Sequence, residues 1–191
     1  MRVRKIVLTG GPGAGKSVIA AALVEAMRPR LALVPEAATQ VYTALGTRWD
    51  KLDLAGRRDA QTRMYRLQVA QEDRIARERP DRVLLLDRGT IDGAAYWPDG
   101  PEAFWRSLGT THEAELARYD VVLWLETAAA LGLYDGDASN ATRFEDPAAA
   151  VASGKVLQVL WGEHPRLHHV GAFVSLEDKV AAVKEVIEGV I

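Results

Sequence analysis

The stretch LTGGPGAGKS, residues 8–17, sets Gly10, Gly11, Gly13 and Gly15 around Pro12 and Ala14 and closes on Lys16 and Ser17. It fits the pattern G-x-x-x-x-G-K-[ST] and lies between an apolar run and a helical one, the context a phosphate loop requires. Glycines reach backbone conformations closed to other residues, so successive N–H groups can point into one concavity. The following helix adds its positive N-terminal end. Lys16 is then placed to neutralise the β- and γ-phosphates of a nucleotide, and the Ser17 hydroxyl to ligate Mg²⁺. Nucleotide contacts are expected from Gly10, Gly11, Pro12, Gly13, Ala14, Gly15, Lys16, Ser17 and Val18. A flexible connector is the plain alternative, and the strand–helix context weighs against it.

A second chemical group closes the apolar run RVLLLD (82–87). Asp87 stands where a Walker B carboxylate stands, so Ser17 and Asp87 are the expected metal-side residues. Asp87 would hold a water of Mg²⁺ or accept a proton from a substrate hydroxyl; capping the next helix is the plainer role. HPRLHH, with His164, His168 and His169, has neither fixed helical spacing nor a carboxylate frame, which argues against a metal centre.

These groups need a frame to bring them together. KIVLT (5–9), LALVPE (31–36), RVLLLD and YDVVLWLE (119–126) read as strands, and HHVGAFVSL (168–176) holds a fifth. Helices are expected from Lys16 to about Met27, over AATQVYTAL, over 57–79, in EDPAAAVASGKVLQVLW and over the C-terminal LEDKVAAVKEVIEGVI. GTRWDKLDLAG (46–56) reads as a loop. On the 57–79 helix, Met64, Leu67, Ala70 and Ile75 form the expected apolar side. Arg63, Gln68, Gln71 and Arg74 read as its solvated side. Strands buried on both faces and alternating with helices predict an α/β fold. The expected form is a three-layer sandwich with a mainly parallel five-stranded sheet and helices on both faces. Such sheets bind ligands at the carboxyl ends of their strands, where Thr9, Glu36, Asp87 and Glu126 would gather. One domain over 1–191 is expected, with a lid segment at about 127–150. Trp49, Trp97, Trp105, Trp124 and Trp161 are expected in core and lid packing.

Composition narrows the class. The 191 residues carry 24 Lys and Arg against 26 Asp and Glu, a net charge of -2, which gives no footprint for nucleic-acid binding. The chain has no cysteine, which excludes disulfides, thiolate metal sites and cysteine nucleophiles. No apolar run approaches the roughly 20 residues of a membrane span, and the basic N-terminus lacks a secretory apolar region. A cytoplasmic protein is the economical reading. The third strand continues as DRGT, without the glycine of a D-x-x-G switch, and N-K-x-D is absent. A Ras-type guanine switch is therefore disfavoured.

GGPGAGKS, VPEA after the second strand, LLLDRG after the third and NATRFED after the fourth resemble the pieces of nucleoside and nicotinamide riboside kinases. The small AAA-type ATPases related to those kinases are closer still, since they also carry YD, N-x-x-R-F-E and W-G-x-H-P pieces. The likeness runs from about Lys5 to His169 and implies a P-loop NTPase fold. By this resemblance Glu36 acts as general base toward an acceptor hydroxyl, and Arg88 holds the acceptor or its phosphate. Arg143 becomes the lid arginine that neutralises charge in transit. A glutamine of the long helix would face the acceptor. The resulting expectation is an ATP-dependent kinase of a small hydroxylated metabolite, nucleoside-like acceptors included. Its cofactors would be ATP and Mg²⁺, with GTP left open because no base-reading motif is present. A nucleotide-binding regulatory module with slow turnover, and a simple hydrolase, are the rivals. A homodimer is compatible with the sequence.

Overall fold

The computed structural model describes residues 3–127 and 147–191. Strands β1 (Lys5–Thr9), β2 (Leu31–Val34), β3 (Val83–Asp87), β4 (Val121–Leu125) and β5 (Leu167–Val170) form one sheet in the order β2-β3-β1-β4-β5. Every pairing is parallel. The register sets Leu8 opposite Asp87, Thr9 opposite Trp124 and Val34 opposite Leu86, so the carboxyl ends of β1, β2 and β3 finish level. That levelling gathers the polar strand ends on one edge of the sheet.

The continuous apolar runs resolve into two faces because successive strand side chains alternate. Ile6, Leu8, Leu85 and Leu123 pack under α1 (Lys16–Ala26) and α7 (Leu176–Val190), meeting Ile19, Leu23, Val183 and Ile187. Val7, Leu84, Leu86, Val122 and Trp124 pack on the other side against α3 (Leu54–Glu78), α4 (Pro101–Leu108) and α6 (Pro147–Gly162). The three layers follow. Each fully buried leucine of β3 contributes about 2 kcal/mol of transfer free energy.

Two stretches depart from the sequence reading. Helix α3 begins at Leu54, inside the expected loop, because the Asp53 side chain accepts from the Gly56 N–H at 2.7 Å and caps it. Trp49–Lys51 forms a 3₁₀ turn in the same stretch. Between β3 and β4 the chain makes a second 3₁₀ segment (Thr90–Tyr96), then α4 and α5 (His112–Leu116), with Thr111 capping α5. These pieces are too short to show a period in the sequence. Helix α2 (Ala37–Leu45) packs its Val41 and Tyr42 with Ala60 and Met64 of α3 in a smaller third cluster. The expected lid falls largely outside the described residues, and Arg143 lies outside them. No helix among the described residues is long and apolar enough to cross a membrane.

Candidate functional site

At the carboxyl end of β1 the chain turns through Gly10 at φ 134, Gly13 at φ 73 and Gly15 at φ 80 before entering α1. At Gly10 the requirement is absolute: a Cβ there would lie 2.3 Å from the Leu125 carbonyl oxygen of the adjacent strand. The Lys16 ammonium, 4% exposed, donates to the Gly10 and Gly11 carbonyls at 2.8 Å each and so folds back across the loop. Ser17 and Val18, the next two residues, are exposed. Asp87 is buried, and its Oδ1 has no hydrogen-bond partner among the described residues. A buried carboxylate oxygen left unsatisfied is completed by a cation or its water shell. Together with the Ser17 hydroxyl it fits a Mg²⁺-bound nucleotide phosphate.

One residue past Asp87 the backbone is strained. Arg88 sits at φ 75, the only non-glycine residue at positive φ among those described, and such outliers persist where surrounding structure fixes them. Its Nε donates to Glu36 Oε1 at 2.6 Å and its Nη1 to Asp92 Oδ2 at 3.0 Å. Burial opposes the Arg88 charge, but Tyr96, Asp92 and Asp87 outweigh it and hold the guanidinium protonated. Asp92 is itself fixed, since its Oδ1 accepts from Thr9 Oγ1 at 3.0 Å and from the Trp161 indole N–H at 2.7 Å. Glu36, two residues past β2, accepts from Thr39 Oγ1 at 2.8 Å on its second oxygen.

Glu36 and Arg88 line a cavity of about 90 Å³ whose other walls are Tyr42, Trp49, Met64, Tyr65, Tyr96 and two glutamines of α3. Gln68 donates to Glu72 Oε1 at 3.1 Å and to the Arg88 carbonyl at 3.3 Å. Gln61, 4% exposed, lines the same cavity. The side of α3 expected to be solvated is thus divided. Gln68 and Gln71 are buried, whereas Arg63 and Arg74 are exposed and pair with Asp59 and Glu78. Ala70, expected on the apolar side, is exposed.

The sequence of this site matches the family model described as AAA domain, over residues 5–179. The chain belongs to the AAA domain family. Among solved structures, thymidylate kinase from Candida albicans superposes on the AAA domain with a TM-score of 0.70 and 16% sequence identity. The match covers 98% of this chain and 92% of that one, and it shows a shared fold. No curated protein matches the sequence.

In the AAA domain, then, Lys16, Asp87, Arg88 and Glu36 converge on one sheet edge, as their positions after β1, β3 and β2 predict. Asp92 was invisible in the sequence, because only the 3₁₀ turn after Gly89 brings it back under Arg88. Glu72, fully buried, was equally hidden. It accepts from Lys5 Nζ and Arg118 Nη2 at 2.8 Å each, and from Gln68 and the Tyr119 hydroxyl at 3.1 Å each. Burial and the neighbouring Glu72 charge push the Tyr119 phenol well up. Glu115 accepts from Tyr65 at 2.8 Å; burial and that bond push the Tyr65 phenol up to about 12. Trp97, Trp105, Trp124 and Trp161 pack in the core as expected. Trp49 differs: it lines the cavity with the Arg57 guanidinium 4.6 Å above its ring. His164 serves the fold, its Nδ1 accepting from the Arg166 N–H and its Nε2 reaching the Tyr119 carbonyl, both at 3.1 Å.

Proposed function

We propose that this AAA domain is an ATP-dependent phosphotransferase acting on a small hydroxylated metabolite, with nucleoside-like acceptors the first class to test. The observation that carries the reading is the Glu36–Arg88 pair at the wall of an aromatic-lined cavity, beside the phosphate loop. A hydrolase or a bare switch needs no second pocket with a carboxylate and a guanidinium in its wall.

In this reading the acceptor lies against the cavity's aromatic walls with its hydroxyl at Glu36, which takes the proton as the hydroxyl attacks. Arg88 offsets charge on the group in transit, and the bonds to Glu36 and Asp92 aim its planar guanidinium. Ser17 and Asp87 hold the metal side. Lys16 gives up its two carbonyl contacts for phosphate oxygens. Bound Mg²⁺-ATP supplies the phosphoryl group and neutralises its oxygens. Arg143, outside the described residues, keeps its proposed place as the lid arginine.

The deciding experiment is release of ADP and GDP, with Mg²⁺, across a panel of nucleosides and other hydroxylated metabolites against a no-acceptor control. Release that rises with one acceptor and disappears in Lys16→Ala supports the phosphotransferase and names both substrates. Flat, slow release with every acceptor, despite nucleotide binding, favours the regulatory module. Release that is fast without any acceptor favours the hydrolase.

A further inference from the structure

Lys179 is a buried cation that the phosphotransferase mechanism leaves unused, and its placement is costly. It is 6% exposed, and lysine is almost never buried unless it is paired. It stands near the positive N-terminal end of α7, directly after Ser175, Glu177 and Asp178 have supplied the favoured cap and charges. Its long side chain is held in one conformation, at a cost in rotamer freedom. Local costs of this kind are expected where function imposes them.

What Lys179 gains is contact with the back of the phosphate loop. Its Nζ donates to the Ala14 carbonyl at 2.8 Å and to the Glu126 carbonyl just past β4. Nearby, Leu176 Cδ1 lies 3.6 Å from the position a Cβ would take on Gly15. Ala14 is the residue before Gly15, the glycine at φ 80 that caps the N-terminus of α1. In a trans peptide the Gly15 N–H points opposite to the Ala14 carbonyl, away from Lys179. A second effect is electrostatic: a positive charge held behind the loop favours anions in front of it. Burial pulls the Lys179 pKa down, and the Glu126 carboxylate works against that pull.

We propose that Lys179 is a positioning residue for the nucleotide, holding the phosphate loop from behind by its Ala14 carbonyl while Lys16 serves the front. The inference rests on the nucleotide reading of the loop and needs no particular acceptor.

The test is equilibrium titration of the full chain with a fluorescent mant-ADP and Mg²⁺, alongside the thermal midpoint of the nucleotide-free protein. Wild type, Lys179→Arg and Lys179→Met are compared. In Lys179→Met the Kd is expected to rise about tenfold or more, as for loss of a charged hydrogen-bonding group. Lys179→Arg, which keeps charge and donors, is expected to stay within about threefold of wild type. A thermal midpoint near wild type in both variants separates this role from plain anchoring of α7. Wild-type affinity in Lys179→Met overturns the proposal, as does weakened affinity that Lys179→Arg does not restore. If Lys179→Met fails to fold, Lys179→Gln carries the test: weaker binding by several-fold supports the role, and unchanged binding overturns it. A wild type that does not bind mant-ADP removes the nucleotide reading itself, a result distinct from either.

Discussion

The two halves of the site are built in different ways. The phosphate loop is a backbone device: one short stretch of chain, glycines at positive φ, and carbonyls held by lysines. The proposed acceptor pocket is a side-chain device assembled from α2, α3 and the turns around Trp49 and Thr90. A backbone device tolerates few residue types but is written contiguously. A side-chain device is scattered through the sequence and holds together only when several elements are docked.

If this division is right, the halves should fail separately. The largest effect is expected for Glu36→Gln, which removes the proposed base while leaving the loop intact. Turnover with the identified acceptor should fall by about 10²–10⁴-fold, measured as kcat, with mant-ADP affinity unchanged. Equal loss of nucleotide affinity would break the division. Gly10→Ala should do the reverse and act through the fold. A methyl group 2.3 Å from the Leu125 carbonyl oxygen forces β1 and β4 apart. Chemical denaturation should show roughly 2–3 kcal/mol of lost stability or more. The smallest effect sharpens the pocket side. The Tyr65 phenol is raised in the folded chain, so the stability it contributes is full below pH 10 and is lost as pH rises toward about 12. Urea unfolding at pH 9 and above pH 11 should show a shallower alkaline loss in Tyr65→Phe than in wild type; equal losses would remove Tyr65 from that transition.

The same division explains what the sequence discloses. Gly10 to Ser17 is readable because every residue the loop needs is adjacent in the chain. Glu36 and Asp87 are readable because both lie at the ends of apolar strands, and a parallel sheet must bring such ends together. Gln68 and Gln71 looked solvated, because helical period alone does not reveal that their buried side faces Glu72, Gln40 and Arg88 rather than an apolar neighbour. Asp92 gave no signal, since a 3₁₀ segment of seven residues sets no period that a reader can use. The α3 boundary was misplaced for a similar reason: Gly56 looks like a loop residue, yet it is the donor to the Asp53 cap.

The bond from the Trp161 indole to Asp92 also bears on the order in which the site is completed during the chain's own synthesis. Glu36, Arg88 and Asp92 are all made in the first half of the chain. The indole that completes their arrangement comes from α6, and Lys179 behind the loop is translated later still. A ribosome that has released only the first four strands therefore presents a phosphate loop without its rear support and a guanidinium whose aspartate lacks one donor. Domains emerge N-terminal first, so the Glu36–Arg88–Asp92 arrangement gains its last donor only once α6 has emerged and docked.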